Sequence, residues 1–168
     1  MTIEELLDRE MIRDTLARYC RAADHHDRAL MLSTYWPDAT DDHGAMFSGS
    51  AVDFVDMAMA GRRFAVTQHL LGQSTFAFGG TRARVETYAL AYHRVRRDGR
   101  DPHDVIVGAR LHDLFEKRDG AWRVLSRALV MDWFKTFDES DDPAAGLFGG
   151  AWPMGSKDAA DPSYAFFA

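Results

Sequence analysis

A long hairpin decides the fold, and it lies in residues 69–95, HLLGQSTFAFGGTRARVETYALAYHRV. Aromatic and β-branched residues fill its two arms, and Gly79-Gly80 between them is typical of a tight turn. The same pattern recurs further along the chain, so that the sequence predicts four strands: His69–Phe78, Arg82–Val95, Asp104–Glu116 and Trp122–Phe134. Because the intervals between them are too short for crossover helices, the strands are expected to pair antiparallel.

The chain before this sheet has the spacing of helices. Thr2 and Glu5 form a capping-box pattern, which predicts an amphipathic helix over the first ~25 residues. A second helical stretch is predicted from Arg28 to Trp36, where Pro37 follows, and a third from Ser50 to Gly61, with Ser50 as a possible N-cap. Helices followed by strands predict an α+β fold with at least three N-terminal helices on one face of a curved antiparallel sheet.

Composition limits the class of protein. The chain has 168 residues, 46% of them apolar and 27% charged, which fits one globular domain. A formal net charge of −6 without a long basic run disfavours nucleic acid and an anionic membrane surface as partners. The single Cys20 fits a reducing compartment, and no apolar run is long enough to span a bilayer, so we expect a cytoplasmic protein.

Asp24 breaks the apolar pattern of the first helix. It follows Leu16 and Cys20 at spacings of four residues, so it extends their stripe at the helix C-terminus, where the helix dipole disfavours a carboxylate. Such a placement is expected to raise the pKa of the carboxyl, while the alternative, an Asp that faces solvent at a helix end, is the commoner case for an arbitrary Asp.

Arg127 and His69 stand out on the strands. On a strand of period two, Arg127 shares a face with Leu125, Leu129, Met131 and Trp133, so it needs a partner, either in a buried ion pair or in a catalytic site. His69 lies at the start of the first strand. A histidine there is more often structural, and it becomes a candidate general base only if it meets a carboxylate.

The sequence does not predict a metal or cofactor site. His25 and His26 are adjacent and diverge by about 100° on a helix, and Asp41-Asp42-His43 has no partner cluster at metal spacing. No nucleophile elbow, phosphate loop or dinucleotide fingerprint is present. An enzyme with this sequence is expected to work with side chains alone.

Four segments together carry a family resemblance: Ile12–Asp24, Tyr35–Ala39, Thr67–His69 and Phe115–Val124. In this order and spacing they resemble the SnoaL-like branch of the nuclear transport factor two-like superfamily. The likeness covers residues ~3 to 137, so residues 1–137 are expected to form one SnoaL-like domain. It implies a cone, in which a curved antiparallel sheet wraps around helices and encloses a pocket.

Within that superfamily the chain is most similar to hexachlorocyclohexane dehydrochlorinase and scytalone dehydratase, which are cofactor-free lyases. The resemblance places an Asp–His base pair at Asp24 and His69, a residue that assists the leaving group at Arg127, and substrate-contacting positions at Tyr19 and Tyr35. It implies a lyase or isomerase acting on a small cyclic hydrophobic substrate, in a homo-oligomer (dimer or trimer) formed through the outer sheet face. The alternative is a non-catalytic ligand-binding or scaffold subunit, such as the small subunit of ring-hydroxylating dioxygenases.

Residues 138–168 form a tail of different composition. It opens with the acidic run at residues 138–142, which is typical of a solvated hinge, and its glycines and prolines disfavour a further regular element. Its apolar residues are expected to pack, either on the mouth of the cone as a lid or on a neighbouring subunit: Leu147, Phe148, Trp152, Pro153, Met154, Tyr164, Phe166 and Phe167.

Overall fold

A computed structural model describes residues 1–61, 63–141 and 153–168 of the chain. Three α-helices precede the main strands: α1 (Ile3–His25), α2 (Arg28–Ser33) and α3 (Ala51–Ala60). The strands are β1 (Tyr35–Asp42), β2 (Ser48–Ser50), β3 (Phe64–Gly79), β4 (Arg82–Arg97), β5 (Arg100–Arg118) and β6 (Ala121–Phe137). A short 3-10 turn (Gly44–Met46) lies between β1 and β2, and a five-residue helix α4 (Pro162–Phe166) lies near the end of the chain.

The first helix forms as its caps predict. The Thr2 side chain accepts a hydrogen bond from the Glu5 amide at 3.1 Å, and His26 ends the helix in the left-handed conformation, with φ of 56°. One face of α1 is buried, including Ile12 and Leu16. Ser50 caps α3 as predicted, because its hydroxyl accepts a hydrogen bond from the Asp53 amide at 3.1 Å.

The second helix is shorter than predicted. It ends at Ser33, and residues 35–42 form β1, so the helical prediction to Trp36 is wrong. β1 lies parallel to β6, and their register shifts between Tyr35 and Thr40. Pro37 lies within this irregular stretch; because proline has no amide hydrogen to donate, it is tolerated where the ladder is interrupted.

The six strands form one curved, unclosed sheet in the order β2-β1-β6-β5-β4-β3. The four long strands pair antiparallel, as predicted, and α1 packs against β3 and β6 inside the curve. The inner face of the sheet is buried and mostly apolar, with Val85, Leu111, Phe115, Trp122 and Val124 among its residues.

Two irregularities between β5 and β6 change which residues face inward. The register shifts at Leu114/Phe115 and at Gly108/Ala109, so Leu125 and Asp132 have no paired residue opposite them. The buried row of β6 is therefore Trp122, Val124 and Arg127. Trp133 is half exposed and lies directly over Gly108, so its predicted place in the row of Arg127 is wrong.

The described parts of the tail are tied to the domain. Arg97 and Arg94 donate hydrogen bonds to the backbone oxygens of Asp138 and Asp141. Residues 162–166 are helical, which the composition had disfavoured. Met154, Phe166 and Phe167 are 56%, 81% and 74% exposed, so the prediction that they pack is wrong within this chain. Leu147, Phe148 and Trp152 of the predicted apolar set lie outside the described residues. No helix in residues 1–61, 63–141 and 153–168 is long and apolar enough to cross a membrane.

Candidate active site

Asp24 and His69 form a two-point contact inside the cone. Asp24 lies in the last turn of α1, and β3 presents His69 toward that helix. His69 Nδ1 lies 2.7 Å from Asp24 Oδ1, and the His69 backbone amide donates to Oδ2 at 3.0 Å. With the carboxylate ionised, Nδ1 carries the hydrogen and Nε2 is left as the basic nitrogen. Nε2 has no hydrogen-bond partner among the residues that the structure describes.

The surroundings of this pair hold Asp24 ionised while leaving it reachable. Burial opposes ionisation, but the hydrogen bonds from His69 outweigh it, so the pKa of the Asp24 carboxyl lies below its ordinary value. The two side chains keep 20% and 22% of their surface exposed. The pair is thus sheltered enough for strong electrostatics and open enough to meet a small molecule.

A second histidine, His93 on β4, lies beside His69. Their ring centroids are 5.6 Å apart with the planes nearly perpendicular, and Phe64 covers His93 from another side at 4.8 Å. Burial, followed by the charge of His69, lowers the pKa of His93 to about 4. His93 is therefore neutral near pH 7 and adds no positive charge next to His69.

Residues 153–168 lie against the end of α1 that carries Asp24. Asp161 accepts hydrogen bonds from the amides of Ser156 and Ser163, and Arg21 of α1 donates to the Ser163 hydroxyl at 3.2 Å. Lys157 is half-buried in this segment; burial lowers its pKa, while the negative charge of Asp24 acts in the opposite direction. The segment therefore adds a cation near the Asp24–His69 pair.

Arg127 belongs to a separate buried cluster. Its Nε and Nη2 donate to the two carboxylate oxygens of Asp113 at 2.7 and 2.8 Å, and neither side chain is exposed. The guanidinium lies 4.0 Å from the centre of the Tyr19 ring, and Nη1 reaches the Tyr35 hydroxyl at 3.5 Å. Burial opposes the charge on Arg127, but Asp113 outweighs it, so its pKa remains well above its ordinary value.

The five predicted site residues therefore fall into two groups. Asp24 meets His69, while Arg127 meets Tyr19 and Tyr35; no hydrogen bond joins the groups within the described chain. Cys20 lies between them on α1: burial raises the pKa of its thiol to about 12, and the charges of both Arg127 and Asp24 act on it. The two groups are neighbours along the inner face of one helix.

Three residues of the second cluster were not predicted as catalytic or substrate-contacting residues: Asp41, His43 and Asp113. Asp113 is the partner that Arg127 needed, and the signal was present, because Asp113 alternates with Leu111 and Phe115 on one face of β5. Asp41 accepts a hydrogen bond from the Tyr35 hydroxyl at 2.6 Å and another from His43 Nδ1. In the sequence, Asp41 and His43 had been considered only as metal ligands. Among the described residues, no group of three His, Cys, Asp or Glu side chains lies together in a way that could hold a metal ion.

Large side chains fill the core that α1 shares with the sheet. Trp122, Phe115 and Met31 are almost completely buried in it. Two surface grooves, of about 460 and 360 Å³, lie elsewhere, one beside the middle of α1 and one on the outer sheet face. Neither is lined by Asp24, His69 or Arg127. Neither groove is the enclosed pocket that the family resemblance implied, and the Asp24–His69 pair meets solvent through its partly exposed side chains.

Comparisons with known proteins agree with this architecture. A proposed scytalone dehydratase from Novosphingobium aromaticivorans is 21% identical, with a TM-score of 0.71 over 90% of this chain and 100% of that one. A type 2 hexachlorocyclohexane dehydrochlorinase (LinA) is 16% identical, with a TM-score of 0.74 over 85% and 99% of the two chains. A Mycobacterium tuberculosis protein of unknown function, Rv3472, is 21% identical, with a TM-score of 0.65 over 77% and 74%.

At these identities the solved structures establish the fold alone. A search of curated proteins finds no match. The family model for the SnoaL-like domain matches residues 4–128, which include α1, the whole of β3 to β5 and the start of β6. The chain therefore belongs to the SnoaL-like domain family, within the nuclear transport factor two-like fold.

Proposed function

We propose that the protein is a cofactor-independent lyase or isomerase that removes a proton from carbon in a small cyclic hydrophobic substrate. The observation that carries the proposal is the two-point contact between Asp24 and His69, with Nε2 of the ring unpaired in the described chain. An oriented, partly sheltered imidazole is the group that general-base catalysis near neutral pH requires. The similarity of the fold to a dehydrochlorinase and to a proposed dehydratase supports this class of reaction.

In the proposed reaction, His69 Nε2 takes the proton from a carbon next to an electron-withdrawing group. The electron pair of that C–H bond forms the new double bond, and the bond to the leaving group breaks, so that water or hydrogen halide is lost. Asp24 is a positioning residue, because it fixes the tautomer of His69 and stabilises the imidazolium that forms.

Arg127 is proposed to stabilise negative charge on the leaving group or enolate, with Tyr19 and Tyr35 contacting the substrate. Because Asp113 occupies the edge of the guanidinium formed by Nε and Nη2, any such effect passes through Nη1 and the Tyr35 hydroxyl beside it. Burial raises the pKa of Tyr19 and Tyr35 well above the ordinary value, so both remain neutral hydrogen-bonding groups.

The test is incubation with a panel of hydroxylated and halogenated cyclic compounds, read by mass spectrometry as loss of water or hydrogen halide. His69→Ala is expected to lower turnover by about 100-fold or more. His112→Ala is the matched control, because His112 also pairs with a carboxylate, that of Glu86, but is about half exposed. Wild-type turnover in a folded His69→Ala protein would remove His69 as the base.

A scaffold role is the second candidate, and the outer sheet face favours it. Leu70, Tyr88, Leu90 and Trp133 are all at least 41% exposed there, which is an unusual concentration of apolar surface. In either role we propose that this face joins copies of the chain into a dimer or trimer. Leu90→Lys is expected to lower the mass measured by sedimentation equilibrium. A wild-type monomer would contradict the proposed assembly, and an inactive but assembled wild type would favour the scaffold.

We propose that the C-terminal tail (residues 138–168) acts as a lid over the site rather than as a contact with another subunit, because its described part packs on α1 of its own chain. Truncation after Asp141 keeps the hydrogen bonds from β4 to the tail and removes Lys157 and α4. A lid predicts impaired activity with the assembly intact. Dissociation of the assembly before any loss of activity would show that the tail joins subunits instead.

A further inference from the structure

Residues 155–163 form a loop that closes around the Asp161 carboxylate at the end of α1. Oδ2 of Asp161 accepts a hydrogen bond from the Ser156 amide at 2.9 Å, and Oδ1 lies 3.7 Å from His25 Nδ1. His25 is the last residue of α1 and follows Asp24 directly in the chain. The loop therefore borders the helix end that carries the carboxylate of the proposed base pair.

Lys157 is half-buried in this loop and has no anion in contact with it. The two carboxylates of the loop bind elsewhere: Asp161 accepts from the Ser156 amide, and Asp158 accepts from the Ser156 hydroxyl and the Ala160 amide, each at 2.9 Å. Within the described chain the Lys157 ammonium forms no hydrogen bond or ion pair. Because a sheltered cation without a partner is unfavourable, this position suits an anion that the chain itself does not supply.

The charge of Lys157 acts on residues that flank the proposed base. It attracts the carboxylate of Asp24, and it is the third influence, after burial and the charge of His69, that lowers the pKa of His93. Asp24 binds Nδ1 of His69 at 2.7 Å, while the His93 ring lies on another side of His69, with centroids 5.6 Å apart. An anion bound by Lys157 is therefore close to the His69 ring.

The other charges around Lys157 also favour a single negative charge. Burial, followed by the charges of Lys157 and Arg96, lowers the pKa of His26. His26 is therefore neutral near pH 7, as is His93. The charged groups are Lys157, Arg96 and Asp24, and the carboxylate of Asp24 is already engaged by two hydrogen bonds. A monoanion is thus attracted to this end of the domain although the whole chain has a formal charge of −6.

We propose that Lys157 binds a carboxylate substituent of the substrate, so that the protein acts on hydrophobic rings that carry one carboxylate. The inference rests on the proposed function and narrows its substrate class. Lysine presents one compact charge, which matches a monoanion, and the nearby charge of Asp24 penalises a dianion such as phosphate. Lys157 is thus a specificity-determining residue that orients the ring toward His69 Nε2 and takes no part in proton transfer.

Binding of cyclohexanecarboxylate and of its neutral analogue cyclohexanecarboxamide tests the site without any reaction. Each is titrated at pH 7.5 into isotope-labelled protein, and the backbone amide signals are followed by NMR. Wild type is expected to bind the carboxylate about tenfold more tightly than the carboxamide, with shifts at His69. Lys157→Gln is expected to lose this preference, and Lys157→Arg to keep most of it. Lys135→Gln, which removes the same charge from an exposed position on β6, is the matched control.

Deuterium incorporation from solvent connects the carboxylate to the proposed base. The two ketones compared are 3-oxocyclohexane-1-carboxylate and its uncharged methyl ester, each corrected for uncatalysed exchange. Lys157→Gln is expected to raise KM for the carboxylate about tenfold, with kcat within about threefold and the ester unaffected. His69→Gln is expected to lower the rate for both ketones by about 100-fold while its affinity for cyclohexanecarboxylate stays within about threefold of wild type.

The outcomes separate the inference from the proposal beneath it. If a folded Lys157→Gln protein binds the carboxylate as wild type does, the inference is wrong, and deuterium incorporation by wild type leaves the base assignment standing. If Lys157→Gln weakens binding of carboxylate and carboxamide equally, the lysine has a structural role, and the inference is also wrong. If wild type binds the carboxylate through Lys157 but labels neither ketone, the carboxylate site stands and the proposed function fails.

Discussion

From the low pKa of His93 we predict how the free energy of unfolding depends on pH. The folded chain resists protonation of this buried ring until about pH 4, whereas the unfolded chain takes up the proton near the ordinary value of 6.5. The unfolded state therefore binds more protons between these values, so stability is lost as the pH falls through that range and is fully present above it. At about 1.4 kcal/mol for each pKa unit, the loss reaches about 2.5 kcal/mol at pH 4.5.

Urea unfolding of wild type and His93→Gln at pH 7.5 and pH 4.5 measures this contribution. Between the two pH values the free energy of unfolding of wild type is expected to fall by about 2.5 kcal/mol more than that of the variant. Titrating groups that do not interact with His93 are common to both proteins and cancel, while the interactions of His93 with His69 and Asp24 are part of the difference that is measured. An equal fall in both proteins would show that His93 is protonated as easily in the folded chain as in the unfolded chain, and would refute the burial argument.

Three further perturbations test other parts of the structure. Asp113→Asn leaves the Arg127 guanidinium buried without its anion and is expected to cost about 3–5 kcal/mol in urea unfolding, and the double replacement by apolar residues should recover most of it. In Gly108→Ala the new Cβ would lie 2.3 Å from the indole of Trp133, so the ring must move outward into solvent. We expect a red shift of the tryptophan fluorescence, and an unchanged spectrum would contradict this packing. Because burial raises the pKa of Cys20 to about 12, iodoacetamide at pH 8 should label it about 1,000-fold more slowly than a free cysteine, and rapid labelling of folded protein would contradict its burial.

Much of the fold follows from local sequence rules. The caps Thr2 and Ser50 act through side chains a few residues away, so the starts of α1 and α3 were predictable, as was the antiparallel order of the four long strands. The end of α2 was not, because β1 forms only through its pairing with β6, a partner about 90 residues away in sequence. Pro37 marked a break but could not show that a strand followed.

The site residues also divide into those that could be predicted from local sequence and those that depend on contacts between distant parts of the chain. The unusual positions of Asp24 and Arg127 were visible from periodicity, whereas His69 became a candidate base only through the carboxylate partner that the family resemblance implied. The faces of β6 were not, because the shifts in pairing that remove Trp133 from the row of Arg127 depend on the opposite strand. The Asp41–His43 pair was hidden for a related reason, since its residues become significant only when Tyr35 and Arg127 meet them in three dimensions.

Proton transfer from carbon to His69 is the central claim, and deuterium incorporation tests it most directly. Wild type, Asp24→Asn and His69→Ala are each incubated in deuterated water with two cyclic ketones, 3-hydroxycyclohexanone and 3-chlorocyclohexanone, and label next to the carbonyl is followed by NMR. Wild type is expected to incorporate deuterium well above the uncatalysed rate, Asp24→Asn more slowly, and His69→Ala at about 1% of the wild-type rate or less. Equal incorporation by wild type and a folded His69→Ala protein would contradict the claim.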